Sequence, residues 1–229
     1  MRQKILFFVL VLALVGVRPS QAAEQVVFEG KPLSTWIKQL QDKDPEARAA
    51  AGRALGILGL KAKEAIPDLI KALKDPNSRV RDWAAYSLSR MGPVAKAAVP
   101  VLQELLNDKV AAVRHIAANA LGSMGPEARA AVPALRKTLK DEDPWMRWQS
   151  TVSLGAMGAA AKEATPDLVE ALKDDEYIVR KGAVEALEGI GPAAKESIPA
   201  LKEILDDESD FQEMHKAATK ALKKIQPGG

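Results

Sequence analysis

Residues 67–92, PDLIKALKDPNSRVRDWAAYSLSRMG, are a unit that the chain repeats. Pro67 returns as Pro100, Pro133, Pro166 and Pro199, and Asp75 has counterparts at Asp42, Asp108, Asp141, Asp174 and Asp207. Arg81 has counterparts at Arg48, Arg114, Arg147 and Arg180, so each step is 33 residues. A fixed period of this size marks stacked supersecondary units, each too small to bury its apolar face alone.

Each unit reads as two helices. In the first, near 66–74, Leu69 and Leu73 lie four apart on one face, as do Leu102 and Leu106, Leu135 and Leu139, Leu168 and Leu172, and Leu201 and Leu205. The Ala-rich run before each proline also favours helix, which leaves open whether the proline starts the helix or bends it. In the second helix, near 79–91, Val80, Ala84, Leu88 and Met91 make the buried stripe, repeated by Val113, Ala117, Leu121 and Met124 in the next unit. Gly59, Gly92, Gly125, Gly158 and Gly191 follow these stripes, where a left-handed C-terminal cap is expected. The pattern predicts an all-α fold, a right-handed α-solenoid of about six helix pairs.

The array occupies residues 33–226, with units at about 33–60, 61–93, 94–126, 127–159, 160–192 and 193–226. An extended lead-in at 23–32 precedes it. The first unit, with Ser34 in place of the proline, and the last, with two extra residues around Asp207 to Phe211 and His215 at the arginine position, read as caps. Residues 1–22 combine a basic start, a 13-residue apolar run from Ile5 to Val17, and small residues at Ser20 and Ala22. This is the pattern of a cleavable signal peptide, and the run is too short for the ~20 residues of a spanning helix. The expectation is a periplasmic or secreted protein with no membrane contact after cleavage.

Lysine and arginine number 33 against 30 acids, but Arg2, Lys4 and Arg18 fall in the first 22 residues, so the remainder is balanced. That balance argues against a nucleic-acid binder. The chain has no cysteine, which excludes disulfides and thiolate metal sites.

The order and spacing of Pro67, Asp75 and Arg81, together with the ALGxxG endings at Ala54 to Gly59 and Ala120 to Gly125, resemble the short HEAT-like repeats of phycobilisome lyases. The resemblance implies that each aspartate lies in the turn between helices and that the arginine of one unit bonds its neighbour's turn. Asp42, Asp75, Asp108, Asp141 and Asp174 with Arg48, Arg81, Arg114, Arg147 and Arg180 would then be a stacking ladder. It also brings enzymes into view, the bilin lyases and the di-iron hydroxylases among them. The hydroxylases hold iron with His-Glu pairs, whereas both histidines here, His115 and His215, are followed by Ile116 and Lys216. No catalytic set, metal site or cofactor site is expected. A signal peptide argues against a lyase that works inside the cell, and such a subunit stays as the alternative to a non-enzymatic scaffold.

A scaffold of this kind binds a protein or peptide on its concave face. Residues two before, one after and five after the repeat arginine project away from the core stripe. Aromatics gather there in the middle units, and Trp83, Tyr86, His115, Asn119, Trp145, Trp148 and Gln149 are the candidate partner-binding residues. Helical phase leaves two readings open, exposed anchors or fillers between adjacent helices.

Overall fold

The computed structural model describes residues 26–206 and 212–227. They form an α-solenoid of six helix pairs behind a short hairpin. The pairs are α1 (Leu33–Gln39) with α2 (Pro45–Leu58), α3 (Ile66–Ala72) with α4 (Ser78–Met91), and α5 (Val99–Leu105) with α6 (Ala111–Ser123). Then come α7 (Val132–Thr138) with α8 (Pro144–Ala156), α9 (Thr165–Ala171) with α10 (Tyr177–Ile190), and α11 (Ile198–Asp206) with α12 (Gln212–Ile225). Among the described residues no helix is long and apolar enough to cross a membrane.

The open question about the prolines is resolved by geometry. Between successive pairs runs a 3₁₀ stretch, such as Gly92–Ala98, and Pro100 is the second residue of the α-helix that follows. Ala95, at φ −89° and ψ 15°, marks the kink between the two turns of 3₁₀ helix. Proline therefore opens α5, where its missing N–H costs nothing, while the Ala-rich run winds as 3₁₀ helix. The first helices of the first five units are two residues shorter than periodicity implied. Their last turn tightens instead, with Lys74 N donating to Lys71 O and Asp75 N to Ala72 O.

The glycines also depart from expectation. Gly92 has the positive φ of 64° that a cap requires, but its ψ is −138°, and Gly59 and Gly191 match it. This is the mirror image of the extended region rather than the left-handed helical one, and only glycine enters it without strain. The chain is thereby thrown straight from α-helix into the 3₁₀ stretch.

The lead-in is not simply extended. Val27–Phe28 (β1) pairs antiparallel with Lys31–Pro32 (β2). Trp36 Nε1 donates to Phe28 O at 3.1 Å, the two rings lie 6.2 Å apart, and Trp36 is buried, so the hairpin closes the end of the first unit. The signal-peptide reading falls on residues outside those described.

The core runs the length of the array and contains the predicted stripes, with Leu69, Leu88, Leu102, Leu121, Leu135, Leu154, Leu168 and Leu187 fully buried. Second helices pack directly on one another from α2 to α12, whereas the first α-helices meet the preceding or following unit mainly through the 3₁₀ stretches. The second helices therefore form the more closely packed layer, which is where the candidate residues lie.

Candidate functional site

Two features organise the second-helix layer, a ladder of ion pairs at the turns and a stripe of aromatic and polar side chains along α4, α6 and α8. In the ladder, Arg48 grips Asp75 with Nε and Nη2 at 2.7 and 2.9 Å. Its remaining Nη1 donates to the carbonyls of Asp42 and Lys43 in its own turn. Arg81 grips Asp108 at 2.8 Å through both nitrogens, and Arg147 grips Asp174 at 2.7 and 2.9 Å. The same aspartates accept a backbone N–H two residues on, for example Asn77 N to Asp75 Oδ1. Burial alone would raise the Asp75 carboxyl, but the Arg48 fork and the Asn77 N–H outweigh it and hold the group below the usual carboxylate range. Asp108 and Asp174 are depressed in the same way.

One rung is missing. Arg114 donates only to the carbonyl of Asp108 in its own turn, and its buried Nε has no partner. Asp141, the expected acceptor, takes the Asp143 N–H and no arginine. His115, the next residue, bonds the following unit instead, with Nε2 2.7 Å from Asp143 Oδ2. A depressed carboxyl at Asp143 can only accept, so the histidine nitrogen donates. Asp143 also caps α8, accepting the Trp145 N–H at 2.9 Å. One carboxylate thus ties α6 to the start of the helix that carries two tryptophans. Arg180 binds the carbonyls of Asp174 and Asp175, and its expected partner Asp207 lies outside the described residues.

The candidate aromatics form two separate pairs. Trp83 and Tyr86 on α4 meet edge to face at 5.4 Å, and Trp145 and Trp148 on α8 at 5.8 Å. Between them α6 presents His115 and Asn119. The two readings left open by helical phase divide among these residues. Trp83 and Tyr86 are half-buried against α2, and a Cβ added at Gly52 or Gly56 would come within 2.9 Å of the first and 2.8 Å of the second. Trp148 is half-buried, and its ring edge would lie 3.1 Å from a Cβ at Gly182 of α10. These three fill space between units. Trp145 does not, being 57 % exposed, and Val152 beside it on the same helix is exposed as well. Gln149 turns along its own helix to Ser153 Oγ at 3.3 Å. Ala49, in the same phase as these residues, is buried.

Two residues escaped the sequence reading. Asp143 is one, although an aspartate before Pro144 is a recognisable cap signal. Asp82 lies half-buried on the same stripe of α4, and burial pushes its carboxyl above the usual range with no hydrogen bond or ion pair to offset it. Nothing in a linear sequence distinguishes it from a solvated aspartate. Among the described residues no group of three His, Cys, Asp or Glu side chains is placed to hold a metal ion.

The fold is shared by solved structures. An engineered protein is 26% identical, with a TM-score of 0.68 over 86% of this chain and 97% of that one. A designed armadillo repeat protein, solved in complex with the peptide (KR)4, is 20% identical with a TM-score of 0.70, covering 86% of this chain and 100% of its own. The archaeal HEAT-like repeats protein from Thermococcus onnurineus NA1 is 14% identical with a TM-score of 0.59, over 85% and 88% of the two chains. Comparison with curated protein sequences gives no match. The model of the family described as HEAT repeats matches residues 33–122, 100–188 and 159–223, a span that takes in all but the last residues of the helical array, and the chain belongs to that family.

Proposed function

We propose that this chain is a non-enzymatic scaffold that is exported from the cell and binds a protein or an extended peptide along its concave layer. Helical solenoids offer long, rigid, curved surfaces suited to that task, and a designed protein of the same fold is known with a peptide bound. The observation that carries the reading is Trp145. A tryptophan left 57 % exposed on the inner layer of a rigid array contributes nothing to the core, and large aromatic side chains of this kind dominate binding energy at protein interfaces. Its backbone is held by the Asp143 cap and its ring rests edge-on against Trp148. It is therefore presented in a set orientation and loses little freedom on binding. The export reading rests on residues 1–22, with cleavage after Ala22 or Ala23.

The test compares two neighbouring tryptophans. Immobilised protein is used to capture partners from an envelope extract, identified by mass spectrometry. Trp145→Ala should weaken capture at least about fivefold, the equivalent of ~1 kcal/mol, with the melting temperature unchanged. Trp148→Ala, which removes a packing contact with α10, should lower the melting temperature instead. Equal capture by Trp145→Ala and the unaltered protein would overturn the assignment of this surface.

A further inference from the structure

The charged side chains of the concave stripe are largely spoken for. Arg79 pairs with Glu46, Arg53 with Glu29, His115 with Asp143, and Lys181 with Glu185. Asp82 is different. It lies on α4 between Arg79 and Tyr86, half withdrawn from water beside Trp83, and has no hydrogen bond or ion pair among the described residues. The basic side chains closest to it in the repeat register are both committed elsewhere, Arg79 to α2 and His115 to the cap of α8. A carboxylate partly stripped of water and given no counter-charge is unfavourable in the unliganded protein. A cation arriving from outside would remove that cost, and the flanking rings favour the same kind of ligand, since a guanidinium or ammonium group is attracted to an aromatic face.

We infer that the concave surface of α4 seats an arginine or lysine side chain of an extended partner peptide, with Asp82 as its counter-ion and the Trp83 and Tyr86 rings beside it. The inference rests on the scaffold reading above and gives that partner a chemistry. Because alternate side chains of an extended peptide point the same way, the partner is a stretch in which a basic and an apolar residue two positions apart face the surface together. The basic residue meets Asp82, and apolar residues meet the aromatic pairs of α4 and α8. An arginine suits the site best, as its planar fork can bond both carboxylate oxygens at once.

The test uses the full chain and a fluorescein-labelled octapeptide, Arg-Ser-Leu-Ser-Arg-Ser-Leu-Ser, which presents arginine and leucine on one face when extended, read by fluorescence anisotropy. Its control replaces each arginine with citrulline, which keeps the shape and removes the charge. The arginine peptide should bind at least about tenfold more tightly than the citrulline peptide, as expected for a charge-assisted hydrogen bond. Asp82→Asn should abolish that difference without lowering the melting temperature. Equal binding of the two peptides to the unaltered protein, no binding of the arginine peptide, or full arginine preference in Asp82→Asn would each overturn the cation seat. Should Asp82→Asn fail to fold, the comparison of the two peptides on the unaltered protein still decides. If the cation seat falls while Trp145→Ala still loses partners from the envelope extract, the scaffold reading stands. If that loss is absent too, both fall.

Discussion

Arg81 and Arg114 occupy equivalent positions and should behave differently. Arg81 and Asp108 are each only 8 % exposed at the side chain, and removing one partner of such a pair leaves a desolvated charge and two turn carbonyls without their donor. Arg81→Ala should therefore cost about 3 kcal/mol in urea unfolding. Arg114 loses a single bond to the Asp108 carbonyl, so Arg114→Ala should cost about 1 kcal/mol or less. Equal losses would mean that the Arg114 fork reaches Asp141 in solution. The repeat thus conveys which residues make rungs, but whether a given rung closes depends on side-chain placement across a neighbouring turn.

The second helices approach closely because small residues face each other at their crossings. Gly122 of α6 lies over Ser153 of α8, and an added Cβ would stand 2.8 Å from the Ser153 Cα. Ser153 Oγ in turn donates to Ala118 O across the same crossing at 2.8 Å, as Ser87 Oγ does to Gly52 O at 2.6 Å between α4 and α2. Backbone cannot swing aside as a flexible side chain can, so Gly122→Ala should push α6 from α8 and destabilise by about 1–3 kcal/mol, measured by urea denaturation. Alanine is the better helix former by about 1 kcal/mol, so a stabilised variant would show that the crossing has slack. The apolar stripes of these helices were legible from their 3.6-residue periodicity, whereas the crossing points were not, because glycine in a helix looks the same whether it meets solvent or a neighbouring backbone.

At the scale of the whole array, acid should loosen the stack. Asp75, Asp108, Asp143 and Asp174 all have carboxyls held below the ordinary range when folded. Such groups contribute stability that is fully present above the unfolded value of about 3.9 and is lost as pH falls from there through the lower folded value. Asp82 acts with the opposite sign, since its folded carboxyl is raised and protonation relieves a cost. Four depressed groups outweigh one raised one, so the melting temperature followed by circular dichroism should hold from neutrality to about pH 4 and fall below it. In a variant carrying Asp75→Asn and Asp108→Asn that fall should be shallower, and an unchanged slope would show that the rungs do not govern acid stability.

The sequence by itself determined the class of fold and the leucine stripes that the core buries. Those properties follow from spacing along one chain, and every copy repeats them. The tertiary structure alone decided what depends on distances between units. It placed three aromatics against neighbouring glycines and left Trp145 in solvent, opened the rung at Arg114 while His115 reached Asp143, and left Asp82 without a partner. A period of 33 residues specifies which positions come near each other, but contacts are made over a few ångströms, and that last step is set by how each pair of units packs.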